Sequence, residues 1–228
     1  MRLNLYLLFF YSFGQLGFSQ AYQINDLTSL YDQFMFEKTN MNDIDSRYMQ
    51  IEGTPYLYDE FIKGEVILND TVQLKDIPLR YDIYRDRIQF ISKKNLILEV
   101  NPSTVLSAKI DEHKFIISNY LDDSEEKRGV LELLVDGKVR LYRKYQVAFM
   151  KATKVIGYKD PAPDRFERKD DIFLIAIGPG YPEVIIGKKE FFEKLKTIKP
   201  DIEQYAKRHK LKARYGKGMV KLVEVCNE

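Results

Sequence analysis

From Ile62 to Met150 the chain alternates short β-favouring runs with turn residues, and that rhythm leaves few folds open. The runs are KGEVIL, VQL, PLRYDIY, RIQFIS, NLILEV, TVLSAKI and KFIISNYL. Asn69-Asp70, Arg85-Asp86, Lys93-Lys94, Asn101-Pro102-Ser103 and Asp111-Glu112 punctuate them. Two longer runs, RGVLELLV and KVRLYRKYQVAFM, flank Asp136-Gly137, and Asp-Gly between apolar runs is the strongest hairpin signal in the chain. Strand-length runs at such regular spacing predict an antiparallel meander. IFLIAI and PEVII add a strand pair around the tight turn of Gly178-Pro179-Gly180, after a charged surface loop, KATKVIGYKDPAPDRFERKDD. The expected class is α+β, mainly antiparallel β: a curved meander sheet or half-barrel with a short N-terminal helix and C-terminal helices packed on it.

The stretch PLRYDIYRDRIQFI, Pro78 to Ile91, mixes five charged residues with aromatic and aliphatic ones. A two-residue turn at Arg85-Asp86 sets Ile83 opposite Ile88 and Tyr81 opposite Phe90. Leu79 joins these four on one face, as the period of two along a strand requires. Arg80, Asp82, Tyr84, Arg87 and Gln89 fall on the other. Alternation therefore accounts for the mixture without any functional assumption. The polar face still carries arginine and tyrosine, which are favoured at interfaces. With the aromatic segment Tyr56 to Phe61, it makes Tyr58, Arg80, Tyr84 and Arg87 the candidate protein-contact residues.

The first twenty residues, MRLNLYLLFFYSFGQLGFSQ, read as a secretory signal peptide. Arg2 begins it, Leu5–Phe13 is an apolar stretch too short to span a bilayer, and Gly17, Ser19 and Ala21 offer two cleavage choices. The single cysteine, Cys226, permits no internal disulfide and reads as a buried apolar residue; a disulfide-free exported chain fits a bacterial envelope. Ile24, Leu27, Leu30, Tyr31 and Phe34 are spaced for one short helix, and IEGTPYLYDEF reads as an extended segment over the edge of a core. After Lys188, helical spacing recurs at Phe191–Ile198, after Pro200, and at Met219, Leu222, Val223 and Cys226. The expected divisions are 1–20 signal, 21–61 helix and aromatic segment, 62–187 β domain, and 188–228 a basic helical segment in one globular unit with it.

That last segment holds twelve Lys or Arg against six Asp or Glu, a net of +6. A solvated helix face is the ordinary meaning; contact with acidic lipid headgroups or an acidic protein is the functional one. Net charge over the whole chain is only +2, which gives no case for a nucleic-acid partner.

Two histidines and one cysteine give zinc no support, and Asp43 and Asp45 fail the calcium-loop pattern. Asp122, Asp123, Glu125 and Glu126 read as an exposed hairpin tip, and His113 as a surface residue at a turn. No nucleophile elbow, cysteine–histidine pair or phosphate loop is present, so no catalytic, metal or cofactor residue is assigned.

Through GTPYLYDEF, PLRYDIYRDRIQF, the lysine-rich tail ending MVKLVEV, and the signal ending GFSQ, the chain resembles a group of exported proteins of Bacteroidota without an assigned activity. The resemblance covers residues 50 to 228 and implies the periplasm or the periplasmic side of the outer membrane, with secretion less favoured. The expected function is a non-enzymatic envelope protein whose sheet binds another protein, such as an outer-membrane complex. The alternatives are a periplasmic carrier of lipid or another apolar ligand, and an envelope glycan hydrolase.

Overall fold

The computed structural model describes residues 46, 48–69, 72–92, 95–103, 105–152, 163–213 and 216–228. The signal segment, the expected helix from Ile24 to Phe34 and most of the loop after Met150 lie outside the described residues. The rest is an α+β fold built on one large curved sheet.

The strands are β1 Ile62–Asn69, β2 Val72–Asp82, β3 Arg87–Ile91, β4 Ile97–Glu99 and β5 Ser107–Ile110. They continue with β6 His113–Asp122, β7 Glu125–Val135, β8 Val139–Met150, β9 Arg165–Ile177 and β10 Glu183–Val184. Three helices follow: α1 Gly187–Lys196, α2 Ile202–Arg208 and α3 Gly216–Asn227. Two differences from the sequence reading are local. VQL and PLRYD form one strand, because Asp76 bends the chain at φ 56° without ending it. RFERKDD, expected as loop, opens β9, because its residues pair in register with β8 from Met150 to Gln146.

The sheet order is β10-β9-β8-β7-β6-β5-β1-β2-β3-β4. It is two antiparallel meanders, β1–β4 and β5–β10, joined where β5 lies antiparallel beside β1. At Gly64 in this junction any side chain would run into the carbonyl of Lys109. A short parallel pairing of Glu183 with Leu121 joins β10 to β6, so strands β6 to β10 close on themselves at one end. Tyr120, Leu131, Tyr142, Leu174 and Ala176 pack together across these strands.

The first meander curls over the second. Tyr81 packs on Phe115 and Tyr145 with ring centres 5.3 and 6.2 Å apart, inside a core that also holds Leu79, Ile88, Phe90 and Val130. Asp86, at φ 57° in the β2–β3 turn, fixes this closure. Its carboxylate accepts from the Tyr81 hydroxyl at 2.8 Å, the Val130 N–H at 3.3 Å and the Lys144 ammonium at 2.6 Å.

A second core forms where the helices lie on β7 to β9. Phe191, Leu195, Ile202, Leu222 and Val223 pack there against Val139, Leu141 and Ile175. Cys226 is buried here as expected, and burial pushes its thiol pKa up. The last helical residue completes the Asp136-Gly137 hairpin. The Asn227 side chain accepts from the Val139 N–H at 2.8 Å and donates to the carbonyls of Val139 at 2.9 Å and Asp136 at 3.3 Å. A Cβ on Gly137 would meet that amide at 2.7 Å. The last helix therefore clasps the sheet at this hairpin.

Candidate functional site

The candidate contact residues separate once the hairpin folds. β2 and β3 pair Leu79 with Phe90, Arg80 with Gln89, Tyr81 with Ile88 and Asp82 with Arg87. The connection therefore spans residues 83–86 rather than Arg85-Asp86 alone. The register moves by two residues, an even number, so each β2 and β3 side chain keeps the face that alternation assigned it.

The polar face is nevertheless not a surface. Arg80, Asp82, Gln89 and Glu99 are all buried, and the segment before β1 lies against Arg80 and Asp82. Leu57 N–H bonds to the Tyr81 carbonyl at 3.0 Å, and the Ile83 and Tyr84 N–H groups bond to that of Pro55 at 2.9 and 3.3 Å. The Arg80 guanidinium lies 3.6 Å from the ring centre of Tyr56 and 4.2 Å from that of Phe61. It donates to Gln89 Oε1 at 2.9 and 3.1 Å and to the Asp59 carbonyl at 3.1 Å. Charges taken from water survive only when bonded and paired in this way. Arg80 is thus a structural post, not a contact residue.

Tyr84 keeps an exposed edge beside Tyr48 and Phe166. Arg87 is half-buried, 3.8 Å from Glu99, which Arg85 holds at 2.6 Å. Tyr58 lies elsewhere, its hydroxyl 3.5 Å from Asp111 and its ring beside His113.

Burial raises the Asp82 pKa to about 6, although the Arg85 N–H and the charges of Arg85 and Arg80 pull it down. A carboxyl that binds its proton more tightly when folded stabilises the protein fully below about 3.8 and loses that contribution as pH rises through about 6. Asp82→Asn keeps an acceptor for the Arg85 N–H and has no proton to lose. Urea unfolding is expected to show the native protein losing about 1–3 kcal/mol more than the variant across this interval. Parallel pH profiles for the two proteins would refute it.

His113, expected as a surface residue, is half-buried, with Nδ1 2.5 Å from Glu132 Oε1. Arg143 Nε donates to the other oxygen of Glu132 at 2.6 Å, and Tyr145 bonds to the same carboxylate. Burial works to raise the Glu132 pKa, but bonds from Arg143 and His113 and the Arg143 charge outweigh it, so the pKa is lowered. Arg143 and Arg168 both lie 4.6 Å from the Tyr145 ring centre and reach Asp171 at 3.8 and 3.0 Å. This cluster fills the seam between the two cores. Nothing in the spacing of His113, Glu132 and Arg143 announces it; only the register of β6, β7 and β8 brings them together.

Beside Asp171 a groove of about 620 Å³ opens between β9–β10 and the helices. Ile172, Phe173, Val184, Ile185, Ala213 and Met219 line it, with Lys188 on its rim. Ile186 stands at the mouth, 72% exposed. Ligand sites occupy roughly 300–1,000 Å³ and combine an apolar lining with a few polar groups. Of the hairpin-tip residues, Asp123, Glu125 and Glu126 are exposed, as expected, whereas Asp122 is half-buried and paired with Lys127 at 2.7 Å. Among the described residues no group of three or more His, Cys, Asp or Glu is placed to hold a metal ion, and no helix is long and apolar enough to cross a membrane. No protein-family model, curated protein or solved structure matches this chain.

Proposed function

We propose that this protein is a non-enzymatic carrier that holds an apolar or amphiphilic ligand in the groove between β9–β10 and the helices. The observation that carries this reading is the groove itself: an open space of about 620 Å³ with an apolar floor and few charges, next to an isoleucine left 72% exposed. A large aliphatic side chain in water at the rim of an apolar cavity marks a place where another apolar body settles. The concave faces of the sheet are filled by their own side chains, so a ligand has this groove rather than a barrel interior to occupy. The signal-like first twenty residues support a place in the periplasm or on the inner side of the outer membrane.

Docking of an envelope protein is the second reading. Exposed Met49 and Tyr84, over the ring cluster of Tyr48, Phe149 and Phe166, favour it. That surface is smaller than the face expected from sequence, because Arg80 and Gln89 lie beneath it.

The test is purification of the tagged protein from its native cells in gentle detergent, with lipids and proteins both identified by mass spectrometry. The uncharged probe N-phenyl-1-naphthylamine is then titrated into the delipidated protein. Co-purifying lipid, and probe binding weakened at least about tenfold by Ile186→Asp, are the expected results. A lipid-free protein that leaves the probe dark would end the carrier reading. A stoichiometric protein partner in its place would favour docking.

A further inference from the structure

A second, smaller cavity of about 200 Å³ lies on the other side of Lys188. Lys207, Lys210 and Lys212 surround it, over a floor of Phe192, Ala206 and Leu211. Lys188 lines both cavities, and Ala213 in the groove directly follows Lys212, so the two spaces are neighbours. All four lysines are exposed. The one acidic residue lining the small cavity, Glu203, is already engaged by Lys196 at 2.6 Å and Lys207 at 3.8 Å.

Part of this charge has an ordinary explanation. Lys207 is in the last turn of α2, where a cation complements the helix dipole. Lys188 does not fit that account. It occupies the first turn of α1, where the dipole disfavours a cation, and its ammonium sits 5.6 Å from the Phe192 ring centre. Departures from local rules concentrate where function imposes them. An anion held between Lys188 and the lysines of the α2–α3 connection would remove the conflict.

We infer that the small cavity is the headgroup site of the carried ligand, and that the ligand is an anionic amphiphile. Its apolar chain lies along Phe173, Ile185 and Met219, and a phosphate or comparable headgroup is received by Lys188, Lys207, Lys210 and Lys212. This rests on the carrier reading and specifies the class of ligand. The apolar groove gives affinity for the chain, and the lysines discriminate among headgroups through charge that salt can screen.

Dodecyl phosphate and the uncharged dodecyl ether of octaethylene glycol are the probes, each titrated calorimetrically below its micelle concentration. The native protein is expected to prefer the phosphate by about tenfold or more, with the gap closing as salt is added. Lys207→Ala/Lys210→Ala, two exposed positions that line the small cavity and not the groove, is expected to abolish the preference while binding of the uncharged ether stays the same. Thermal unfolding checks that the double variant is folded. Equal affinity for the two probes in native protein would overturn the headgroup site and leave the groove reading standing. Failure of both probes to bind would overturn both. Inorganic phosphate is the third arm: tight binding of phosphate alone, undiminished in Ile186→Asp, where the groove mouth has lost its apolar side chain, would make the small cavity a site for free anions and refute the amphiphile.

Discussion

Arg80→Ala is expected to lower the unfolding free energy by about 3–5 kcal/mol, read as a shift of the urea midpoint with an unchanged slope. Arg80 is 4% exposed, and its guanidinium lies against the rings of Tyr56 and Phe61. Truncation leaves Gln89 Oε1 and the Asp59 carbonyl without this donor. It also removes one of the two cations, with Arg85, that draw the Asp82 pKa down, in a layer where Glu99 is buried as well. Breaking a buried set of charges by deleting one member is costly because the others keep their desolvation penalty. Arg80→Lys should recover little, since an ammonium supplies neither the planar stack nor the forked donors. A midpoint within experimental error of the native protein would mean that the layer is hydrated and the packing of residues 56–61 over it is loose.

The same residue marks the limit of what the sequence discloses. Its face was legible: period-two alternation put Arg80 with Asp82 and Gln89, and a register slip of two residues left that grouping intact. What covers the face was not. GTPYLYDEF and PLRYDIYRDRIQF are separate in sequence, and tertiary contacts join them: backbone bonds such as Leu57 to Tyr81 and Ile83 to Pro55, and the Arg80 guanidinium on Tyr56, Phe61 and the Asp59 carbonyl. A polar strand face reads as solvent-facing unless a covering segment is known, so Arg80 and Arg87 looked alike although one is buried and the other half-open.

The helices are more fully legible, because Met219, Leu222, Val223 and Cys226 repeat at a helical period and all are buried. The groove had no signature. Its walls come from β9, β10, α1 and the residues around α3, each apolar for reasons its own element explains. A cavity is a gap between elements, and composition does not encode gaps. The lysine excess after Lys188 was visible as a sum; its gathering of Lys188, Lys207, Lys210 and Lys212 around one hollow required the fold.

The largest effect at the seam belongs to Glu132, which is 4% exposed. Glu132→Ala is expected to cost about 3 kcal/mol near neutral pH, because Arg143 and His113 lose the carboxylate that holds them. The pH dependence has a definite sign. Its pKa is lowered in the fold, so the carboxylate contributes stability above its ordinary value of 4.5 and loses it as pH falls through the lower folded value. The native protein and the variant should therefore converge in acid. Glu132→Gln, which keeps an acceptor but no charge, should fall between them and lose most of the acid dependence. Arg168 holds Asp171 at 3.0 Å without help from Glu132, so the groove wall should survive the substitution and the uncharged probe should bind the variant unchanged. Stability and ligand affinity should then separate at this residue, as they do for a tie between two cores. A matching loss of probe binding in a variant that remains folded would instead place Glu132 in the binding site.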